Sequence, residues 1–551
     1  MEVCKAVFKI KIAERIPDIE TGILFWNIEL PYIQVKNKMF LNGGKMQKKL
    51  ERLQSSSDIR GIAVQFEDRE VTLNRETAAL LAQGYISHIS KRLGKNPEDM
   101  RVSLGVDSRV TGEKLKCAFA EVLMDAGMEV YDFGLATTPS MFMSTVFENY
   151  KCDSAVMFTA SHLPFYYNGI KFFTDKGGFE NEDIKEITEK AIELSEKQAK
   201  KHIQKGKINR TSILKDYSEF LVNKIREGVN SSKNYEKPLE GMQIIVDAGN
   251  GSGGFFAKEV LEVLGADTTG SAFLNPDGNF PNHIPNPEDQ TAINFLKKSV
   301  TENNADLGII FDTDVDRAAC VDKAGNEINR NRLIALTSAI VLDEFPGSTI
   351  VTDSVTSDEL HEFIIKSGGK HFRYQRGYKN VINKALELNS QGTECYLAIE
   401  TSGHAAFKEN KFLDDGAYLM AKILIKLAKL NEEGKNIEDL LEGYKEPEES
   451  KEIRLRITAD SRNEYMDKLM KDIETHSKKT ENWEQVKENY EGIRVNCTYK
   501  EGKGWFLLRS SLHEPIICIN IESNFQNGTD LITKEVTDIL KNYKEIEMSG
   551  L

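Results

Sequence analysis

Four short segments carry the residues in this chain that could do chemistry. The first is Thr159-Ala160-Ser161-His162-Leu163-Pro164, set between apolar runs, with Lys171 ten residues beyond the serine. A neutral serine hydroxyl is a weak nucleophile and needs a base, a metal or a phosphate already attached. His162 and Lys171 supply positive or proton-transferring character nearby. A serine here could equally cap the turn that follows, so its meaning depends on company. The second segment is Asp312-Thr313-Asp314-Val315-Asp316-Arg317. Alternating aspartates share one face of an extended chain, and at a strand end they can curl round one ion. Carboxylate oxygens suit Mg²⁺. A calcium loop of the EF-hand type is excluded, because its glycine and glutamate positions hold Arg317 and Lys323. Acids merely solvating a turn fit poorly beside the buried pattern of Ile309-Ile310-Phe311.

The third segment is Glu400-Thr401-Ser402-Gly403-His404. Glutamate and serine can pair with neighbouring sugar hydroxyls and discriminate strongly when desolvated, and His404 could move a proton near neutral pH. Glu-x-Ser-Gly is also an ordinary loop composition. The fourth is Arg509-Ser510-Ser511-Leu512-His513-Glu514-Pro515, a donor-rich loop whose arginine suits a phosphate; by itself it also reads as a plain hairpin. Gly249-Asn250-Gly251-Ser252-Gly253-Gly254 matches neither dinucleotide nor Walker spacing and reads as a tight strand–helix turn. Nucleophile, metal cage, hydroxyl grip and anion clamp together form an inventory for moving phosphate around a sugar. A phosphatase with an aspartyl nucleophile also carries Asp-x-Asp after an apolar strand, and Lys379 with Asp414-Asp415 could complete it. That alternative leaves Ser161 and the Arg509 loop without purpose.

Strands must hold these segments. Apolar β-branched runs at Val102–Asp107, Ser154–Ser161, Gln243–Gly249, Asp306–Asp314, Ser348–Val355 and Cys395–Glu400 alternate with helical patterns at Arg75–Leu93, Gly112–Ala126, Glu182–Gln198 and Ala417–Leu430. Near-continuous apolar strands between helices predict α/β units with parallel sheets covered on both faces. Ser161, Asp312 and Glu400 each fall at the carboxyl end of a strand, where such sheets bind ligands. The last hundred or so residues differ. Helical stretches at Asn463–Ser477 and Thr529–Lys541 and strands at Gly492–Tyr499, Gly504–Arg509 and Pro515–Glu522 predict an α+β domain with an antiparallel sheet. Asn230–Lys237 and Tyr444–Lys451 read as linkers, and Pro346-Gly347 as a further break.

The chain has 551 residues, enough for several domains. A net charge of −14 and a pI of 5.4 argue against nucleic-acid binding while leaving room for a local basic pocket. Seven cysteines include no Cys-x-x-Cys pair, which predicts buried free thiols in a reducing compartment. No run is long and apolar enough to span a membrane. The first fifty residues lack serine and hold one arginine, unlike a secretory or transit leader. The expectation is a cytoplasmic protein.

In this order, the four segments resemble the motifs of the α-D-phosphohexomutase family, which includes phosphoglucomutases and phosphomannomutases, with phosphoglucosamine mutases as close relatives. The family carries a Thr/Ser-Ala-Ser-His-Asn-Pro loop, an Asp-Gly-Asp-x-Asp-Arg metal loop, a Glu-x-Ser-Gly sugar loop and an Arg-x-Ser-x-Thr-Glu-Pro phosphate loop. Asp58-Ile59-Arg60-Gly61, Gly105-Val106-Asp107-Ser108-Arg109 and Asn168-Gly169-Ile170-Lys171-Phe172 resemble three lesser family motifs. The resemblance implies an α/β fold: three tandem related α/β domains with mixed sheets, plus a C-terminal α+β domain, around a central cleft. The implied spans are 51–232, 233–330, 331–446 and 447–551, after an extension, 1–50, of unassigned role.

The resemblance further implies interconversion of hexose 1- and 6-phosphates, glucose or mannose, through a phosphoserine and a hexose 1,6-bisphosphate. Ser161 would carry the phosphate, and Mg²⁺ would be held by Asp312, Asp314, Asp316 and the phosphoserine. Arg317, Lys171 and Arg60 would add positive charge, and Lys171, with His404 second, would transfer protons beside His162. Glu400 and Ser402 would grip the sugar, and Gly377, Lys379, Arg509, Ser511 and His513 would hold the substrate and its distal phosphate. The protein would act as monomer or homodimer on a small sugar phosphate, with no nucleic acid and no membrane. Alternatives are a phosphoglucosamine mutase, a non-catalytic sugar-phosphate-binding homologue and the aspartyl-nucleophile phosphatase. Three departures stand out. Leu163 replaces asparagine, Thr313 replaces a glycine and so restricts the metal-loop turn, and Leu512-His513 replaces a small residue and threonine. Tyr378 lies where members vary with substrate.

Overall fold

The computed structural model describes residues 43–195, 206–459, 462–511 and 515–548. Most of the N-terminal extension, Cys4, the end of the helix expected to reach Gln198, Leu512 and His513 lie outside the described residues. The last described part of that extension is the helix Gly43–Glu51, whose Leu50 is buried in the first hydrophobic core.

Four sheets follow one another along the chain. In the first, Arg101–Val106 runs parallel to both Glu129–Leu135 and Ser154–Phe158. In the second, Leu307–Phe311 runs parallel to Ile244–Asp247. In the third, Thr349–Asp353 runs parallel to Lys370–Tyr374 and Cys395–Ile399. Each sheet then turns antiparallel at the same place. Ser154–Phe158 pairs antiparallel with Tyr167–Thr174, Leu307–Phe311 with Ala318–Asp322, and Cys395–Ile399 with Ala405–Phe407. Beside the parallel pairs read from apolar runs, each sheet is mixed, as the family resemblance implied, because the motif loops fold straight back as hairpins instead of leading into crossover helices. The serine, metal and sugar segments are those hairpin loops.

The expected helices form at Arg75–Leu93, Gly112–Asp125, Asn181–Ser195 and Gly416–Glu432. Asn74 caps the first with its side chain, and Gly94 ends it in a left-handed conformation at φ 65°. The fourth sheet is antiparallel throughout, with central strands Ile493–Thr498, Lys503–Ser510 and Ile516–Ser523. The segment read as a linker up to Lys451 is corrected in part. Glu449–Ile457 is a strand paired along its length with the strand Ile516–Ser523. Pro346-Gly347 lies in the turn between the helix Arg330–Glu344 and the strand Thr349–Asp353.

One hydrophobic core runs from Phe133 to Leu441 and joins parts of all three mixed sheets. The fourth sheet has its own core, from Ile453 to Ile546. Six described cysteines are free; five are buried, but Cys117 is exposed, which corrects the expectation for that thiol. No described helix is long and apolar enough to cross a membrane.

Candidate functional site

The hairpin after Ser154–Phe158 puts Ser161 in a left-handed conformation, φ 50°, with the residue 3% exposed. Arg109 fixes this loop. Its guanidinium, paired to Asp107 at 3.2 Å, donates to the backbone oxygens of Ser161, Leu163, Pro164 and Tyr167 at 2.5–3.0 Å. The loop is thereby held without the asparagine that Leu163 replaces.

The Ser161 hydroxyl donates to Asp312 Oδ2 at 2.8 Å. Asp312, Asp314 and Asp316 are buried, and one oxygen from each lies within 4.8 Å of the others. Burial, then Asp316 and Asp314, push the Asp312 carboxyl well above the usual range. Burial acts the same way on Asp316, but Lys171, His404 and Arg317 override it and hold that carboxyl far down. Lys171 Nζ bonds Asp316 and lies 3.1 Å from Asp314 Oδ2. Burial would lower the lysine, yet Asp314 and Asp316 raise it well above its ordinary value. Asp314 Oδ1 and Asp316 Oδ1 are buried without a hydrogen-bond partner. Three crowded carboxylates, two of them with an oxygen that has no hydrogen-bond partner, fit a small divalent cation.

The loop takes its shape from strain at one residue. Val315 has φ 66°, a rare conformation for a β-branched side chain. The restriction expected from Thr313 is not where the turn bends. Thr313 instead packs on the glycine-rich segment, where a Cβ on Gly251 would meet Thr313 O at 2.7 Å, and Ser252 N–H donates to the same oxygen at 2.8 Å. The glycines there let a strand–helix turn brace the metal loop.

Arg317 donates to Asp312 Oδ2 at 3.1 Å and to Ser161 Oγ at 3.3 Å. Arg60 reaches Asp58 at 3.0 Å and the Ala160 carbonyl at 3.3 Å. His162 Nδ1 is 3.4 Å from Ser161 Oγ, and Arg317, then burial, drive its pKa down to about 2. Of the positive or proton-transferring character expected of His162, this environment disfavours the positive charge.

The sugar segment joins this cluster through the backbone, where Arg317 and His404 form an antiparallel bridge. His404 Nδ1 bonds Asp414, and its ring stacks with Tyr378 at 5.1 Å. Burial lowers the imidazole, but Asp414 and Asp316 outweigh it and raise its pKa to about 9. Glu400 accepts the Gly377 N–H at 2.6 Å, and Ser402 Oγ lies 3.4 Å from its other oxygen. Burial, then Asp353, push the Glu400 carboxyl up to about 7.

Lys379 turns away from the metal loop and bonds Gly178 O at 2.8 Å and Glu180 at 2.7 Å. Asp415 binds Tyr217 at 2.5 Å and caps the helix Gly416–Glu432. Lys379 and Asp415 of the phosphatase alternative are thus spent elsewhere, whereas Asp414 stays at the cluster, grouped with His404 and Asp316. Arg509 is buried, with Nη1 3.9 Å from Glu491 and Nε without a partner. Ser511 N–H donates to Ile516 O at 2.9 Å.

Sequence reasoning gave no role to Thr138 or Glu491, put Arg109 only within a lesser motif, and gave Asp414 a part only in the phosphatase alternative. Thr138 donates its N–H to Asp314 O at 2.9 Å and its hydroxyl to Asp314 Oδ2 at 2.5 Å. The only signal for it was Thr137-Thr138-Pro139, a helix start.

Residues 51–198, 215–325 and 329–446 match the family models for phosphoglucomutase/phosphomannomutase alpha/beta/alpha domains I, II and III. A phosphomannomutase/phosphoglucomutase of Pseudomonas syringae pv. tomato is 32% identical over 85% of this chain and 90% of its own. A phosphoglucomutase of Neisseria gonorrhoeae is 29% identical over 88% and 95%. Among solved structures, a phosphoglucomutase/phosphomannomutase family protein of Burkholderia thailandensis superposes with a TM-score of 0.72 at 26% identity, over 89% of this chain and 97% of the other. With three sheets aiming motif hairpins at one cluster, and relatives aligned over most of their length, this chain belongs to the phosphoglucomutase/phosphomannomutase family.

Proposed function

We propose that the chain is a Mg²⁺-dependent phosphohexomutase that interconverts the 1- and 6-phosphates of glucose or mannose. The observation that carries this reading is the Ser161 hydroxyl 2.8 Å from a metal-loop aspartate and 3.3 Å from Arg317. Asp312, Asp314 and Asp316 would hold Mg²⁺ together with phosphorylated Ser161. The ion would neutralise charge on the phosphoryl oxygens. Transfer through a diffuse, highly charged transition state needs mostly positioning and cations, which Arg317, Lys171 and Arg60 supply.

The phosphoryl group leaves Ser161 for the free hydroxyl of a hexose monophosphate, and that hydroxyl's proton passes to a nearby base. The bisphosphate then turns over, and its other phosphate returns to the serine. Lys171, with His404 second, would hand its proton to the departing serine oxygen and, once neutral, take up the proton of the attacking hydroxyl. Glu400 and Ser402 would hold ring hydroxyls in both orientations, with Arg509 and Ser511 on the distal phosphate. The free thiols fit a cytoplasmic setting.

The test is an assay with Mg²⁺ and a trace of hexose 1,6-bisphosphate on glucose, mannose, glucosamine and N-acetylglucosamine phosphates, with intact-mass analysis of the same sample. Turnover of the glucose and mannose phosphates, and a mass about 80 Da above the chain's that Ser161→Ala removes, are the expected results. Chelation should abolish activity. Preference for the glucosamine phosphate, binding without isomerisation, or an active Ser161→Ala beside a dead Asp312→Asn would each replace this reading with another.

A further inference from the structure

The fourth sheet keeps a hydrophobic core separate from the one that joins the other three. Its placement against the third sheet therefore leans on specific contacts. Arg494 donates to Ser354 O at 3.0 Å and to Asp358 at 2.9 Å. The Tyr490 ring packs 5.1 Å from Phe372, and Gln375 donates to Tyr490 O at 2.9 Å.

Glu491, next along the chain, differs from these because both ends of its contacts lie in the site. One oxygen, Oε2, accepts the Ser354 hydroxyl and the Arg376 N–H, the latter at 3.1 Å. The other, Oε1, is 3.9 Å from Arg509 Nη1. The following amide, of Gly377, is held by Glu400 at 2.6 Å. Two consecutive amides of one loop are thus held by two carboxylates, one from the sugar segment and one from the body that carries the phosphate-loop arginine. Gly492 lets the chain pass this close to Arg509. It has φ 56°, and a Cβ on it would lie 2.9 Å from the arginine's own Cβ.

We propose that Glu491 is a positioning residue that fixes the distance between the phosphate-holding Arg509 and the sugar-holding Glu400, and so matches the cleft to a hexose monophosphate. This rests on the function proposed above. Its contribution falls on binding, because Arg509 and Glu400 grip ground state and transition state alike.

The variants Glu491→Gln and Glu491→Ala separate this role from a merely structural one. A glutamine oxygen still accepts from Ser354 and Arg376, whereas alanine leaves both donors unpaired. In the Mg²⁺-loaded, phosphorylated enzyme, Glu491→Ala should raise KM for glucose 1-phosphate by about tenfold with kcat within about threefold. Glu491→Gln, which keeps the loop contacts but not the charge facing Arg509, should recover most of the loss in KM, and Glu491→Ala should melt somewhat lower while keeping its kcat in the folded fraction. An unchanged KM in Glu491→Ala, a loss mainly in kcat, or a Glu491→Gln as impaired as the alanine variant overturns the proposal. Calorimetric titration with glucose 6-phosphate reads the same ratios as Kd. An inactive parent that binds this sugar phosphate would sink the mutase reading and leave those ratios to judge Glu491.

Discussion

Ser161 and Val315 both take left-handed backbone conformations that side chains other than glycine rarely adopt. Such strain persists only where the surroundings over-determine it, and here two buried side chains do so. Arg109 gathers four carbonyls of the serine loop. Replacing it with methionine would leave those oxygens without their partner and Asp107 without the guanidinium, keeping only the backbone N–H of residue 109. We expect Arg109→Met to lower kcat by about a hundredfold or more and to reduce serine phosphorylation, read by steady-state kinetics and intact mass. Thr138 aims Asp314 in the same way. Thr138→Val keeps the shape, drops one hydrogen bond and should weaken Mg²⁺ affinity by about tenfold in a metal titration of activity, with kcat recovered at high Mg²⁺. Neither role was legible in the sequence. Ser161, the three aspartates and Arg317 stood out because their chemistry and short spacing are local. Thr138 bonds a residue 176 positions away, and nothing in a threonine before a proline announces that partner.

Elements were more legible than residue roles, because the period of apolar residues is set by the surface each element buries. The helix Arg75–Leu93 has the bounds its pattern predicts. Glu449–Lys451 was misread, since acids after a proline look like a linker. In the fold, Glu449 spends its carboxylate on the start of the helix Gly528–Leu540, accepting from Asn527 N–H at 2.6 Å and from Thr529 N–H at 3.1 Å. The strand Ile516–Ser523 poses a different problem. It buries Glu522 opposite Arg494 and Arg373, and beside Asp358 and Glu359. Burial dominates and raises the carboxyl to about 8, although the two arginines pull it down. A carboxyl raised on folding favours the folded chain at low pH. That contribution is full below the unfolded value, near 4.5, and is lost as pH climbs through about 8. Glu522→Gln removes the dependence. Its melting temperature relative to the parent should be higher at pH 8 than at pH 5, by an amount corresponding to a few kcal/mol at most. An offset that is the same at both pH values would mean that Glu522 is ionised throughout.

A common core joins parts of the three mixed sheets, and the fourth sheet packs round one of its own; we expect the fourth sheet to unfold as a separate step. The proposed site draws on both cores: Arg509 and Glu491 come from the fourth sheet, and Ser161, the aspartates and Glu400 from the mixed sheets. A ligand held by all of these stabilises each part only while they are docked, and stabilisation grows with ligand excess, reaching about 2.7 kcal/mol at a hundred times Kd. Ligand-free protein heated in a calorimeter should therefore show two transitions, with the fourth sheet melting first because it buries less surface. Saturating hexose 1,6-bisphosphate with Mg²⁺ should move the lower transition up towards the higher and merge them. Hydrogen exchange should slow at 159–163, 312–317, 400–404 and 509–511 together, since a bridging ligand can reach its full affinity only when each loop is in place. If only the upper transition moved, and exchange near Arg509 stayed fast, the ligand would be held by the three mixed sheets alone, and the fourth sheet would have no part in binding phosphate.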